Sequence, residues 1–312
     1  MKYQRVLVTG GAGFIGSHLV DRLLLDGFHV SVVDNLSTGR LKHMDSSVHL
    51  YQSNLADGSL VRVFEEERPE AVFHVAGQAG VAVAVDNPVD IVRANIAGSL
   101  NLLDMCQQFG VERLIYSSSS AVYGNAERLP CSETNPLIPV TPHGVSKYSV
   151  EVYLTRFASM SGLGYAALRY GNVYGPRQSP YGGAMVVAIF SRRMLDGKPV
   201  TIYGDGTQER DFIYVDDVVE ANVKALLRDE SGVYNIGSGK GTSINTLYAV
   251  LADLIGFSES PIYEPARAWD VDKFYLDVAK VAAELAWKPS VDLQTGLART
   301  VQYFSEVTTQ PR

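Results

Sequence analysis

Apolar residues in the first half of the chain fall in short runs separated by stretches of helical spacing. Arg5–Thr9, His29–Val33, His49–Tyr51, Ala71–His74, Arg113–Ser118 and Tyr165–Arg169 have the length and composition of strands, and near-continuous apolar runs are typical of strands buried on both faces. Between them, Gly13–Asp26, Ile91–Phe109 and a segment from about His143 into Ser161 carry the helical pattern. This alternation predicts an α/β fold, a doubly wound parallel sheet with helices on both faces.

After Arg169 the regularity lapses at Pro176, Pro180 and Gly182–Gly183, the punctuation of irregular backbone. The expected division is a first domain over residues 1–171 and a smaller α/β domain over 172–312. Phe212–Leu227 again reads as a strand followed by a helix, so the chain is expected to return to the first domain around residues 211–228.

Strand Arg5–Thr9 runs directly into Gly10-Gly11-Ala12-Gly13-Phe14-Ile15-Gly16 and then a helix. Glycines at such a turn allow a sharp bend, close approach of a pyrophosphate, and tight helix–strand packing. The helix N-terminus then offers free N–H groups to the phosphates. A glycine pattern alone is weak evidence. Asp34, eighteen residues past Gly16 at the end of the second strand, supplies the carboxylate that receives adenosine ribose hydroxyls. Together they predict a Rossmann-type site for NAD, since Asp34 would repel the extra phosphate of NADP.

Composition narrows the picture. The chain has 312 residues, 46% of them hydrophobic, enough for a large core. A net charge of -7 leaves no basic stripe, so nucleic acid is not an expected partner. No apolar run approaches the roughly 20 residues needed to cross a bilayer, so no membrane association is expected and the setting is read as cytoplasmic. Cys106 and Cys131 lack metal-ligand spacing, so neither a metal site nor a disulfide framework is expected.

The glycine turn is followed by Asp34-Asn35-Leu36, Ser117-Ser118-Ser119-Ser120-Ala121-Val122-Tyr123-Gly124, Arg169-Tyr170-Gly171-Asn172-Val173-Tyr174-Gly175-Pro176 and Tyr203-Gly204-Asp205-Gly206 through Arg210-Asp211-Phe212. In that order these segments resemble the extended short-chain dehydrogenases/reductases over nearly the whole chain. Within them the chain looks like the UDP-glucose 4-epimerase branch of the NAD-dependent epimerase/dehydratases. The resemblance implies transient oxidation of a sugar hydroxyl at C4 by NAD and return of hydride to the other face. It implies a cofactor set of Gly10, Gly13, Phe14, Ile15, Gly16, Asp34, Asn35, Asn54, Leu55, Lys147 and Tyr170. For a UDP-sugar substrate it implies Asn172, Val186, Phe190, Tyr203, Arg210 and Arg267. Arg210 and Arg267 match pyrophosphate clamps, for which arginine forks are suited, and Tyr203 with Val186–Phe190 matches the wall beside the uracil. Surface ion pairs are the competing reading of the arginines, and core packing that of Tyr203 and Val186–Phe190.

For catalysis the resemblance implies a Ser or Thr, a Tyr and a Lys. Ser119 and Lys147 match two of these, but the Tyr-x-x-x-Lys motif reads His143-Gly144-Val145-Ser146-Lys147. Residues four apart share a helix face, so His143 and Lys147 are expected to point together. A neutral imidazole can accept a proton, yet from bond lengths its nitrogen falls roughly 2–3 Å short of a tyrosine hydroxyl. Three readings of His143 stand: a base acting directly or through water, a change that leaves the protein slow or inactive, or a substitution introduced in cloning.

Other departures bear on specificity. Asn54 replaces a common Asp, and Ala82 and Ala84 replace an Arg and a Ser near the sugar, which disfavours a glucuronate. Trp269 replaces the glycine before Asp270. Ser120-Ala121 stands where 4,6-dehydratases of this family place Asp-Glu. His74 is read as structural. The expected activity is that of an NAD-dependent nucleotide-sugar 4-epimerase. The alternatives are an oxidoreductase or dehydratase that stops at the keto stage, and a catalytically impaired protein that keeps both binding sites. A homodimer through helices Ile91–Phe109 and His143–Ser161 is expected by the same resemblance.

Overall fold

The computed structural model describes residues 2–78, 88–181, 185–267 and 270–309. Ala82, Ala84, Gly182–Gly183 and Trp269, singled out above, lie outside the described residues.

Seven strands form one parallel sheet: β1 Arg5–Thr9, β2 His29–Asp34, β3 His49–Gln52, β4 Ala71–His74, β5 Arg113–Ser119, β6 Gly164–Tyr170 and β11 Gly232–Ile236. Their spatial order is β11-β6-β5-β4-β1-β2-β3. The strand order reverses between the parallel neighbours β1 and β4, which creates a crevice at their carboxyl ends, the usual ligand position in an open α/β sheet. Inside β1, Val6 and Val8 join one apolar cluster while Leu7 joins the other. That alternation is why the middle of a strand covered by helices on both sides, here Val6-Leu7-Val8, is apolar at successive positions.

Helices α1 Phe14–Leu25 and α7 Val215–Leu227 pack together on one face. On the other lie α2 Leu60–Glu67, α4 Gly98–Gln108 and α5 Pro142–Ser161. The expected helix Ile91–Phe109 is a composite: α3 Pro88–Ile91, a π-helical turn Val92–Ala97, then α4. Helix α5 starts one residue before the expected His143, because Thr141 caps it by accepting the Gly144 N–H at 3.1 Å and Pro142 occupies the first turn. Both are start signals legible in the sequence.

The remaining strands pair in twos: β7 Asn172–Tyr174 with β10 Phe212–Tyr214, β8 Thr201–Tyr203 with β13 Ile262–Glu264, and β9 Glu209–Arg210 with β12 Thr242–Ser243. Helices α6 Val186–Leu195, α8 Ile244–Ile255 and α10 Leu293–Thr309 pack against one another beside them, and α9 Ala279–Leu285 packs near β11. Buried Asp211 joins these pieces. Its carboxylate accepts N–H bonds from Ser238 and Leu276, while its main-chain oxygen accepts the Asn172 N–H at 2.7 Å.

Candidate active site

At the carboxyl ends of the strands lies a cleft of about 500 Å³. Its lining includes Phe14, Ile15, Ser119, His143, Lys147 and Tyr170 on the sheet side. Asn172, Val186, Phe190, Tyr203, Arg210 and Arg267, from the chain after β6, also line it. Twelve of the residues expected from sequence therefore meet in one space.

The glycine turn borders it. Gly10 has φ +72°, a left-handed conformation, and a Cβ there would lie 2.7 Å from the Ala76 backbone; glycine adopts this geometry without strain. Gly13 is the N-cap of α1 and offers no side-chain cap, so N–H groups of the first turn remain free for an anion. A Cβ on Gly16 would run into the Gly10 carbonyl oxygen, which holds the helix tight on the strand. Asp34 is buried, accepting the Ala12 N–H at 3.0 Å on Oδ2 and the Leu36 N–H at 2.8 Å on Oδ1. Each carboxylate oxygen keeps lone-pair capacity for a ribose hydroxyl. An uncapped helix end, a glycine cradle and a carboxylate fit the diphosphate and ribose of a dinucleotide.

Of the other expected cofactor residues, Asn35, Asn54 and Leu55 lie outside the cleft lining. Asn35 Oδ1 accepts the Ser37 N–H at 3.0 Å, and Asn54 Oδ1 accepts the Ala56 N–H at 3.2 Å. Leu55 packs in the core beneath α4. Tyr170 reaches the cleft with its ring, while its hydroxyl is held by Asn222 Nδ2 at 2.8 Å.

Lys147 is buried and donates from Nζ to the Ser117 main-chain oxygen at 2.7 Å, with Nζ 5.0 Å above the Tyr116 ring. Burial pulls its pKa down to about 8, against the opposing pull of the Glu151 carboxylate one helical turn on. Ser119 Oγ accepts the Ala121 N–H at 3.2 Å, which leaves its own hydrogen to donate.

His143 Nδ1 lies 3.2 Å from the Gln78 main-chain oxygen. A carbonyl can only accept, so Nδ1 carries the hydrogen. Burial, then the Lys147 charge, lowers the His143 pKa to about 4. The ring is neutral at neutral pH with Nε2 bare, and no hydrogen bond engages Nε2 among the described residues.

Across the cleft both candidate clamps rest on protein partners. Arg210 Nη2 donates to Asp270 Oδ1 at 3.3 Å and Nη1 to the Glu209 main-chain oxygen at 2.8 Å. The Arg267 guanidinium stacks 3.6 Å over the Tyr203 ring centroid.

Several site residues escaped the sequence reading. Gln178 and Gln208 line the cleft, and Asn95 braces the segment in front of His143. Behind the serine-rich strand end, Arg169 forks Glu151 at 2.6 and 3.0 Å with both side chains buried. A charged residue inside the apolar run Tyr165–Arg169 was the one available sign of it. His74 is fully buried between Thr9 Oγ1 at 2.8 Å and Ser99 Oγ at 2.7 Å, away from the cleft lining.

The sheet order, the glycine turn and the cleft at the switch point define a Rossmann-type nucleotide-binding enzyme fold. The chain belongs to the NAD-dependent epimerase/dehydratase family, whose model matches residues 6–237. It is 41% identical over 300 residues to a putative UDP-glucose 4-epimerase of Methanocaldococcus jannaschii, covering 96% of this chain and 98% of that one. The crystal structure of Thermotoga maritima UDP-glucose 4-epimerase with UDP-glucose superposes with a TM-score of 0.95 at 47% identity, covering 97% of this chain and 99% of that one. The Thermus thermophilus UDP-glucose 4-epimerase complex with NAD gives 0.92 at 42% identity, with 97% and 99% covered.

Proposed function

We propose that this chain is a nucleotide-sugar 4-epimerase of the UDP-glucose/UDP-galactose type. The observation that carries the proposal is that Ser119, His143 and Lys147 line the same cleft as Arg210, Arg267 and Tyr203. NAD, bound along the glycine turn, supplies the hydride acceptor and later the donor at C4.

The protein's own groups do the rest. Asp34 holds the adenosine ribose, with Asn35, Asn54 and Leu55 lining the approach to the adenosine end. The Lys147 ammonium binds the nicotinamide ribose and adds positive charge beside the reacting carbon. Ser119 donates a hydrogen bond to the C4 oxygen. His143 Nε2 takes the C4 hydroxyl proton through one water and returns it after the keto-sugar has turned over. Arg210 and Arg267 leave Asp270 and Tyr203 to clamp the diphosphate, with Asn172 beside it, and the uracil lies against Tyr203, Val186 and Phe190. In this reading residues 1–171 carry NAD and residues 172–312 the sugar nucleotide, with 211–228 packed back on the first unit. A homodimer forms through α4 and α5, whose neighbourhood leaves Val92, Val145, Val152 and Tyr153 exposed.

The second reading, a protein that binds both ligands but turns over slowly, is favoured by one observation: the His143 imidazole is buried near the Lys147 charge, which lowers its pKa to about 4, below the range that suits proton abstraction near neutrality. Incubating the purified protein with UDP-glucose, UDP-galactose and their N-acetyl forms, followed by NMR, tests the proposal. The 4-epimer of at least one is expected. Tight binding of NAD and UDP-sugar with no epimer over long incubation selects the second reading, and no binding of either removes both.

A further inference from the structure

Asn95 lies in the π-helical turn Val92–Ala97, and its side chain is buried against the start of α5. Such turns break the regular helix ladder and are frequent at functional positions. The Asn95 carboxamide is engaged on both sides. Oδ1 accepts the Gln78 N–H at 2.7 Å, and Nδ2 donates to the Gln78 oxygen at 3.2 Å and to Ser146 Oγ at 3.0 Å. Ser146 Oγ in turn donates to the main-chain oxygen of His143 at 2.8 Å. One side chain therefore fixes the Gln78 peptide, which meets the imidazole, and the helical turn that carries the imidazole.

The orientation of the carboxamide is dictated by its partners. The Gln78 N–H can only donate and the Gln78 oxygen can only accept, so the Asn95 oxygen and nitrogen cannot be exchanged. Held this way, the Gln78 oxygen presents a fixed acceptor to His143 Nδ1. Resting on the reading of His143 as the base, we infer that Asn95 is a positioning residue that selects the Nδ1–H tautomer of His143, so that the bare nitrogen Nε2 faces the substrate. The opposite tautomer would place a hydrogen where a proton has to be accepted, and the step would stop.

The test is the nitrogen-15 spectrum of the full-length protein labelled at histidine, at neutral pH, with the His143 signals identified by their loss in His143→Ala. The parent is expected to show a protonated Nδ1 and an unprotonated Nε2. Ser146→Ala, which spares both Asn95–Gln78 bonds, is expected to keep that signature. Asn95→Ala and Asn95→Asp, the latter keeping the side chain's shape without its donor, are expected to lose it, with kcat down tenfold or more and KM within about twofold. A parent His143 protonated on Nε2 overturns the inference whatever the variants do. An unchanged His143 signature in a folded Asn95→Asp protein also overturns it. The spectrum needs no turnover, so a protein that fails to epimerise sugars refutes the proposed function without deciding this point.

Discussion

Lys147 donates from Nζ to the main-chain oxygen of Ser117 at 2.7 Å, which tethers the base of the cleft to the strand that ends in Ser119. The bond fixes an ammonium group that burial disfavours. Its folded pKa of about 8 lies below the ordinary 10.5, so burial penalises the charged form. That penalty is complete below pH 8 and fades as pH rises toward 10.5.

The first prediction follows from that sign. Lys147→Met removes a buried charge of similar length, so the ligand-free protein is expected to melt higher at neutral pH by the equivalent of about 1–2 kcal/mol. The gain is expected to shrink above pH 8, while NAD binding and turnover fall. Calorimetry from pH 6 to 10 checks it.

His143 gives the second. Its folded pKa of about 4 lies below the ordinary 6.5, so its contribution to stability is intact above pH 6.5 and is lost as pH falls toward 4. The same value predicts an acid limb of kcat/KM near pH 4 if His143 is the base. His143→Ala is expected to lower kcat by about 10²–10⁴-fold. His143→Tyr restores the reach that imidazole lacks and is expected to exceed the parent. Equal rates for the parent and His143→Ala would show that the histidine is no base.

At the other wall, Arg210→Ala removes a charge-assisted clamp worth about 1.5–3 kcal/mol. KM for a UDP-sugar is expected to rise about 10- to 100-fold, and NAD affinity to stay unchanged. Paired titrations of the two ligands decide it, because a general loss of folding would weaken both.

Asp34→Asn keeps the shape beside the glycine turn and removes the charge. NAD affinity is expected to drop about tenfold and discrimination against NADP to narrow. Fluorescence titration with each dinucleotide measures the ratio.

Val145→Asp places a charge among the exposed apolar residues Val92, Val152 and Tyr153. If α4 and α5 form the dimer face, sedimentation is expected to shift from dimer to monomer with the melting temperature of the isolated chain preserved.

Much of this architecture is legible in the amino-acid order because its causes are local. The central strands of the large sheet carry mostly apolar residues, the glycines of residues 10–16 fit a turn that admits no Cβ at Gly16, and Thr141-Pro142 marks the start of α5. Eleven of the twelve expected residues that line the cleft sit at strand ends or on helices whose register fixes their direction, and Arg267 follows β13 in irregular backbone. What stayed hidden depends on contacts between distant segments. The π turn at Asn95 has an unremarkable helical pattern, and its partner is a backbone group seventeen residues away. The Glu151–Arg169 fork joins a helix to a strand that periodicity treats separately. Asn54 closes a local turn and Leu55 fills the core, features that only the packed loop after β3 displays.

Transfer of hydride away from C4 and back within one cleft keeps the C4 hydrogen from exchanging with solvent, so isotope retention at C4 is the decisive measurement. With UDP-galactose carrying deuterium at C4, the account predicts UDP-glucose that keeps deuterium at C4 when the reaction runs in ordinary water. Product that has exchanged C4 deuterium for solvent hydrogen, or a failure to form product with NAD bound, would contradict it.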